Sequence, residues 1–415
     1  MRENYLVINA GSSSLKFSLY EMPEGKEIVN GYVEKIGYMD SFYTLKYGNE
    51  KVEKNKMITN HTYAVEIMLK ELLENHFISS ISDIKGIGHR VLHGGEIYSE
   101  SFLIDEDVLN NIKSFTKLGP LHVPGAVAGI ESMQKILPDV PQVAVFDTAF
   151  HQTMPKENYM YAVPYEWYKE NGVRKYGFHG TSHKYITETM QNQLGRENVN
   201  LIICHIGSGA SMCCVKDGKC YNTTMGLTPL DGLVMGTRCG TIDSSIIEYI
   251  CKERNLSVEE VNAILNKKSG LLGIAGKNDF RDLEQLANNG DEKAKLSIKM
   301  LQNSIIKFIA QYYVELEGKV DAIVFTAGIG ENGISLRANV VNDISSALDI
   351  KLNKEANSNI ARFKKNQSGI ISTSDSKIKV LVIPTNEEYM ILKDTYEISQ
   401  KVKSNEFVKK LKKGN

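Results

Sequence analysis

Two arginines and one aspartate lie in segments that suit the binding of a small anion. Arg90 follows a predicted strand and precedes two glycines, and Arg238 lies in the glycine-flanked segment 235–240. A planar guanidinium there suits a carboxylate or phosphate, although an interface ion pair explains either arginine equally well. Asp147 closes the apolar run 143–146. Open α/β sheets bind ligands at this end of a strand, and the alternative for Asp147 is a helix or turn cap.

The histidines are unevenly distributed. All nine precede residue 206, and several stand among small polar residues, as in the segment 179–183. Each is a candidate for catalysis, with a hydrogen-bonded structural role as the alternative. Metal binding by His179 and His183, four residues apart, would need a regular helix, which Gly180 disfavours.

Two segments of the chain echo each other. Residues 7–17 and 203–213 each have an apolar run, a turn of glycine and serine, and a second run. Each predicts strand, turn, strand, and such turns bring backbone N–H groups and serine hydroxyls close to an anion. One such turn is usually only a hairpin, but the repetition suggests two halves that close on one polyphosphate. Neither segment fits a Walker loop, and no G-x-G-x-x-G follows a strand.

Two further segments follow predicted strands. In 385–388 the acidic pair opens a helix, where it holds a magnesium ion or only complements the helix dipole. The segment 328–332 precedes a helix and suits a ribose or phosphate, although a single G-x-G is weak support.

These residues must be positioned by strands that alternate with helices, so the fold class is α/β. Short apolar runs predict buried strands, at 144–146, 201–204, 323–325 and 380–383. Helical periodicity covers 62–77 and 292–318, a capping box begins another helix at 257–260, and Pro124 marks a helix entry. We expect an N-terminal half of 1–150 plus the returning helix 388–415, and a nucleotide-binding half of 151–387.

Composition excludes several classes of protein. The 415 residues include 49 Lys plus Arg and 50 Asp plus Glu, so no strong field attracts nucleic acid or a membrane surface. No apolar run has the length of a membrane span and no leader precedes the first strand, so we expect a cytoplasmic protein. All six cysteines lie within 204–251 without a C-x-x-C pair, which predicts reduced packing residues rather than a zinc site.

Taken together, the motifs resemble the acetate kinase family, within the superfamily of sugar kinases, heat-shock 70 proteins and actin. The resemblance runs nearly end to end. It includes VINAGSSSLKF (7–17), GHRVLHGGE (88–96), VFDTAFH (145–151), GVRKYGFHGTSH (172–183), TTMGLTPLDGLVMGTR (223–238), DFRD (279–282), FTAGIGEN (325–332) and IPTNEE (383–388). It implies a duplicated, two-domain actin-like (ribonuclease H-like) fold with an active site in the interdomain cleft.

The resemblance also implies roles for single residues. Arg90 would hold the substrate carboxylate, Asp147 would be the essential acid at the reacting centre, and His179 and Arg238 would stabilise the phosphoryl group in flight. Mg²⁺, with Mn²⁺ as the alternative, would bind Asn9 and Glu387. The methyl group of the acid would lie among Leu92, Leu121, Phe178 and Pro229. The nucleotide, ATP or ADP, would contact Ser12, Ser14, Lys16, His205, Ile206, Gly207, Ser208, Gly209, Asp279, Phe280, Arg281, Gly328, Ile329, Gly330, Glu331 and Asn332.

The family reaction, ATP plus acetate giving ADP plus acetyl phosphate, is the leading interpretation, and a homodimer is expected. Ser208 replaces the usual Asn, Thr241 lies in an altered loop, and 276–279 is one residue short. These departures leave the phosphoryl donor open. The nearest alternative is a propionate kinase, since one methylene gives only about 1–3 kcal/mol of discrimination. Leu92, where valine is common, favours the smaller acid. A nucleotide-driven binding or filament protein and an acyl-phosphate hydrolase are lower-ranked alternatives.

Overall fold

The computed structural model describes residues 2–120, 122–360 and 368–413. The chain forms two compact units. Unit 1 comprises residues 1–149 and 386–415, and unit 2 comprises residues 150–385. Both units combine a sheet with helices, so the α/β class is confirmed.

Unit 1 is built on an eight-stranded sheet in the order β5-β4-β3-β2-β1-β6-β8-β7. Its strands are β1 (Glu3–Gly11), β2 (Ser14–Met22), β3 (Lys26–Glu34), β4 (Phe42–Tyr47), β5 (Glu50–Asn55), β6 (Ile84–Val91), β7 (Phe102–Leu103) and β8 (Gln142–Phe146). The helices before the second unit are α1 (His61–Glu74), α2 (Glu106–Ser114) and α3 (Val123–Ile136). Strands β1, β6 and β8 run parallel, whereas β1 to β5 form antiparallel pairs.

Unit 2 is built on a six-stranded sheet in the order β11-β10-β9-β12-β14-β13. Its strands are β9 (Leu201–Ile206), β10 (Ala210–Lys216), β11 (Lys219–Thr223), β12 (Ala322–Thr326), β13 (Gly369–Ile370) and β14 (Lys379–Val382). Its helices are α4 (Lys156–Tyr159), α5 (Tyr165–Asn171), α6 (Gly180–Leu194), α7 (Ser245–Arg254), α8 (Val258–Lys267), α9 (Gly270–Ala275), α10 (Phe280–Asn288), α11 (Glu292–Glu315), α12 (Ala327–Asn332), α13 (Ile334–Leu348) and α14 (Lys354–Asn359). The last helix of the chain, α15 (Glu387–Lys413), belongs to unit 1.

The two sheets share one topology. In each, an antiparallel meander of three strands is extended by two parallel strands, giving β3-β2-β1-β6-β8 in unit 1 and β11-β10-β9-β12-β14 in unit 2. The two predicted strand-turn-strand segments are β1-β2 and β9-β10, at the same place in each sheet. The sequence echo therefore marks a duplicated fold.

Helix α15 returns to the unit 1 sheet. It contacts β6, β8 and β1, and its Ile391 and Leu392 are buried with Tyr5 and Val145 of the sheet. Since α15 begins at Glu387, that residue belongs to unit 1, whereas the sequence placed it at the end of the second half.

Local signals at several helix starts agree with the structure. Ser257 and Glu260 form the predicted capping box of α8, and Pro124 lies in the first turn of α3. The six cysteines are free thiols, of which four are buried. Within the part of the chain that the structure describes, no helix has both the length and the apolar composition to cross a bilayer.

Candidate active site

An arginine-carboxylate pair lies at the end of the parallel strands of unit 1. Arg90 donates from Nε to Asp147 Oδ1 at 3.1 Å and from NH2 to Oδ2 at 2.6 Å. Asp147 is fully buried, and its negative charge raises the pKa of Arg90 above its usual range. Arg90 is the penultimate residue of β6 rather than a residue after the strand, and its pairing with Val145 of β8 brings Asp147 beside it.

The pair keeps donors for a second anion. A guanidinium has five N–H donors, and Asp147 accepts from two of them. The Arg90 side chain is 28% exposed, so an anion from solvent can meet it. Asp147 therefore orients the guanidinium, and its burial fixes the direction in which the remaining donors point.

Two oxygen-bearing residues of unit 1 suit a hard cation. Asn9 lies in β1, and Glu387, the first residue of α15, adds to the charges that raise the pKa of Arg90. The next acid, Glu388, instead accepts hydrogen bonds from Ser18 at 2.8 Å and Tyr20 at 2.9 Å. An amide oxygen and a carboxylate are ligands of the kind that Mg²⁺ takes, so Asn9 and Glu387 fit a magnesium site.

The first glycine-serine turn is tightly enclosed. A Cβ atom on Gly11 would lie 2.8 Å from Ser14 Oγ, and one on Gly125 of α3 would lie 2.3 Å from the Gly11 carbonyl carbon. Ser12 at the turn and Lys16 on β2 are exposed. The helix thus holds the turn from one side, while a hydroxyl and an ammonium group point to solvent.

The second turn, in unit 2, carries a histidine and an arginine beside it. A Cβ atom on Gly209 would lie 3.3 Å from Arg238 NH1 and 3.8 Å from His179 Nε2. Arg238 NH1 donates to the Pro229 carbonyl at 3.2 Å, and no carboxylate is paired with Arg238 among the residues that the structure describes. Burial lowers the pKa of Arg238. A half-buried guanidinium without a carboxylate is suited to a phosphate.

His179 is held by a network that the sequence did not reveal. It precedes α6 with a left-handed φ of 57°, and its ring stacks on His205 at 4.2 Å between centroids. Its Nδ1 lies 2.9 Å from Ser211 Oγ, which also lies 2.8 Å from His183 Nε2. His205 Nδ1 is 2.7 Å from Ser182 Oγ. The signal for Ser211 was a polar residue within the apolar run 210–215 of β10.

Burial makes His183 neutral. Desolvation first, and the neighbouring His151 and His205 second, hold the pKa of His183 well below its usual range. His183 and His179 both lie within hydrogen-bond distance of the Ser211 hydroxyl.

A cavity of about 360 Å³ in unit 2 joins most of the predicted adenosine residues. It is lined by Ser208, Asn278, Asp279, Phe280, Arg281, Gly328, Ile329, Asn332 and Gly333. Asn278 and Gly333 were not predicted. Asp279 caps α10 and pairs with Arg281, whose charge and hydrogen bonds lower the pKa of Asp279.

Three of the predicted nucleotide residues outside this cavity have other surroundings. Ile206 is fully buried, and Gly330 lies against the carbonyl of Cys204 on β9. Glu331 accepts from the backbone N–H of Thr385 at 3.1 Å, and burial raises the pKa of its carboxyl group. The segment 328–332 follows β12 and precedes helix α13, as predicted, and it forms most of the short helix α12.

The predicted acyl-binding residues divide between the units. Leu92 follows β6 in unit 1, whereas Phe178 and Pro229 belong to unit 2. Phe178 is buried, and its carbonyl lies 2.9 Å from His151 Nε2. Leu121 lies outside the described residues.

Known proteins resemble this chain over almost its whole length. The model of the acetokinase family matches residues 4–393. An acetate kinase of Clostridium novyi is 47% identical over 95% of this chain and 98% of its own. An acetate kinase of Geobacillus kaustophilus is 48% identical over the same shares.

Solved structures are similar as well. The crystal structure of Porphyromonas gingivalis acetate kinase has a TM-score of 0.91 and 40% identity, covering 95% of this chain and 99% of that chain. A propionate kinase from Francisella tularensis has a TM-score of 0.89 and 43% identity, covering 95% and 100%.

Proposed function

Because the chain belongs to the acetokinase family, we propose that it transfers the terminal phosphoryl group of ATP to acetate and releases acetyl phosphate and ADP. It is a phosphotransferase with a carboxyl group as acceptor, and the reaction is reversible. The observation that carries the proposal is the Arg90-Asp147 pair, a partly exposed guanidinium oriented by a buried carboxylate. Such a group binds a small carboxylate through paired hydrogen bonds.

The acceptor needs no strong base. A carboxylic acid with a pKa near about 4 is ionised at neutral pH, so acetate is already a nucleophile. The task that remains is alignment and the neutralisation of charge on the equatorial oxygens of the phosphoryl group. We assign the second role to Arg238 and His179, which lie together beside Gly209. Asp147 acts by orienting Arg90 rather than by removing a proton.

The nucleotide is assigned to unit 2. The cavity that includes Phe280, Arg281 and Gly328 takes the adenosine, and Ser208 at its edge belongs to the glycine-serine turn beside Arg238. Backbone N–H groups of that turn and of the first turn, with Ser12, Ser14 and Lys16, contact phosphate oxygens in this proposal. Ser208 is shorter than asparagine, so its phosphate contact is direct only at closer approach.

The cation in this proposal is Mg²⁺, with Mn²⁺ as a substitute, held by Asn9 and Glu387. When bound, it would neutralise phosphate charge and help to align the terminal phosphoryl group. Glu388 accepts hydrogen bonds from Ser18 and Tyr20, so in this proposal only Glu387 of the two adjacent acids binds the cation.

Propionate is the second candidate acceptor. The propionate kinase of Francisella tularensis is 43% identical to this chain, so family membership alone does not select the acid. Leu92 argues for acetate, because a bulky side chain leaves less room for a further methylene. We also infer a cytoplasmic homodimer, from the composition and from the family resemblance.

The decisive experiment is to trap the acyl phosphate with hydroxylamine. Purified protein is incubated with Mg-ATP and acetate, propionate, butyrate or no acid, and the hydroxamate is measured. We expect hydroxamate only with an acid, and most with acetate. Equal kcat/KM for acetate and propionate would contradict the role of Leu92, and no hydroxamate with any acid would contradict the kinase.

Variants test the assigned residues in the same assay. Arg90→Ala is expected to lower kcat/KM for acetate by about 10²–10³-fold, because it removes a charged bidentate partner. Arg254→Ala, on the exposed end of α7, removes an arginine of equal size and should change nothing. Asp147→Asn with near-normal turnover would contradict the orienting role of Asp147.

A further inference from the structure

Three potential metal ligands meet in the interior of unit 2, apart from the residues assigned above. His151 Nδ1 lies 3.1 Å from Cys220 Sγ, and Cys213 Sγ lies 3.5 Å from the same sulfur. All three ligand atoms lie within 4.8 Å of one another. His151 and Cys213 are fully buried and Cys220 is 1% exposed. A histidine nitrogen and two thiols are the donors that soft metal cations prefer.

The strand pairing explains why the two cysteines meet. Cys213 lies on β10 and Cys220 on β11, and the register between these strands shifts between Cys214 and Val215. Both side chains belong to the same core cluster, on one face of the hairpin. Val215 pairs with Cys220, and side chains alternate along β10, so Cys213 lies on the same face as Cys220. Because the contact depends on which strands pair, the spacing of the cysteines in the sequence did not reveal it.

The histidine is already oriented as a ligand. Its Nε2 lies 2.9 Å from the Phe178 carbonyl oxygen, which can only accept a hydrogen bond. Nε2 therefore carries the proton, and Nδ1 is the atom that faces Cys220. Metal-binding histidines in proteins are oriented in this way by a carbonyl or carboxylate on the second nitrogen.

Two of the three distances are close to those of a three-coordinate cation. For metal-sulfur bonds of about 2.3 Å and a metal-nitrogen bond of about 2.0 Å, planar trigonal geometry puts the sulfurs about 4.0 Å apart and nitrogen about 3.7 Å from each. The two sulfurs are 3.5 Å apart, and His151 Nδ1 lies 3.1 Å from Cys220 Sγ. The third separation, between His151 and Cys213, is at most 4.8 Å.

Coordination number distinguishes between metals. Among the described residues the group holds three ligands, and its burial leaves no side open to bulk water. Zn²⁺ in structural sites takes four ligands, one more than this group offers. Soft thiolate ligands suit Cu⁺.

We propose that His151, Cys213 and Cys220 form a buried, three-coordinate site for a soft monovalent cation, for which Cu⁺ is the probe. Binding releases the two thiol protons and changes no oxidation state. The three ligands are not among the residues assigned to the proposed kinase reaction.

The test is anaerobic titration of the reduced full-length protein with Cu⁺ against a competing Cu⁺ chelator. We expect one tightly bound Cu⁺ per chain, with an X-ray absorption spectrum of two sulfurs and one nitrogen. Cys213→Ser and Cys220→Ser should each weaken binding at least about tenfold, since each replaces a thiolate with a poor ligand for a soft ion. Cys251→Ser, a partly exposed cysteine outside the group, is the matched control.

Three results would overturn the proposal. They are the absence of tight Cu⁺ binding to the reduced protein, equal uptake by the Cys213→Ser/Cys220→Ser double variant, and tighter binding of Zn²⁺ than of Cu⁺. Circular dichroism of each variant verifies folding. The absorption spectrum of the wild-type complex tests the ligand set without any substitution, so a misfolded variant does not leave the question open.

Discussion

At the scale of single residues, environment separates two arginines that look alike in the sequence. The negative charge of Asp147 raises the pKa of Arg90, whereas burial lowers the pKa of Arg238, whose NH1 donates to a backbone carbonyl. The guanidinium of Arg90 is already paired with Asp147 and held in place, which suits binding of the substrate carboxylate before the reaction. The second keeps its charge uncompensated among the described residues, which suits charge that develops on a phosphoryl group.

Ser211 is expected to set the tautomer of His179. Because His183 is neutral and its Nδ1 has no partner among the described residues, a proton on Nε2 avoids a buried, unpaired N–H. Nε2 then donates to Ser211, and Ser211 donates to His179 Nδ1. The proton of a neutral His179 is therefore on Nε2, the atom beside Gly209.

Replacing Ser211 with alanine removes this relay. We expect Ser211→Ala to lower kcat about tenfold, or ~1.4 kcal/mol, with little change in the KM for ATP. Steady-state kinetics measure the effect, and ¹⁵N NMR of the histidines reports the tautomer. Ser211→Thr keeps the hydroxyl and should retain most of the rate. A Ser211→Ala enzyme with unchanged kcat but a lower melting temperature would mean that the serine is only structural.

At the scale of elements, the sequence predicted local structure but did not predict long-range contacts. The two strand-turn-strand pairs and the α8 capping box depend on neighbours in sequence, so the pattern predicts them. The contact of Arg90 with Asp147 spans 57 positions and follows from the pairing of β6 with β8. The pattern of each strand predicts its existence, but no local pattern predicts which strand lies next to it.

Helix α3 is expected to control the first glycine-serine turn. Gly125→Ala places a methyl group where the Gly11 carbonyl carbon is 2.3 Å away, so helix and turn must separate. We expect a loss of about 1–3 kcal/mol in the free energy of unfolding and a fall of about tenfold or more in kcat/KM for ATP. Urea denaturation and kinetics measure the two effects. Glu131→Ala, on the exposed face of α3, should cost less than about 0.5 kcal/mol.

This prediction distinguishes packing from flexibility. If Gly125→Ala loses stability but keeps full kcat/KM, the turn adapts to the helix and does not depend on it. If neither the stability nor kcat/KM changes, the close approach of Gly125 to Gly11 does not restrict the position of the turn.

At the scale of the whole molecule, each of the two sheets has a hydrophobic cluster of its own among the described residues. The core of β9, β10 and β12 includes no residue of unit 1, and the cores of unit 1 draw on both ends of the chain through β1 and α15. The sequence repeat and the last helix together suggested this arrangement. Its boundary could not be read from composition, since no low-complexity linker separates the halves.

The separate cores predict separate unfolding. Gly88→Ala would bring a Cβ within 2.2 Å of Thr395 Oγ1 and 2.7 Å of Ile391, so β6 and α15 must move apart. We expect unit 1 to lose about 1–3 kcal/mol of stability while unit 2 is unchanged. The single tryptophan, Trp167, lies in α5 of unit 2, so its fluorescence follows that unit, whereas far-ultraviolet circular dichroism follows both.

The measurement is urea denaturation of the full-length variant by both probes. In Gly88→Ala the dichroism curve should show an early transition that the fluorescence curve lacks. Mg-ATP should raise the free energy of unfolding that the fluorescence curve reports, by about 2.7 kcal/mol at a hundredfold excess over Kd. Glu397→Ala, an exposed change on α15, should leave both curves in place. If both probes shift equally in Gly88→Ala, the two units unfold as one block. In that case the two units share a topology but do not unfold independently.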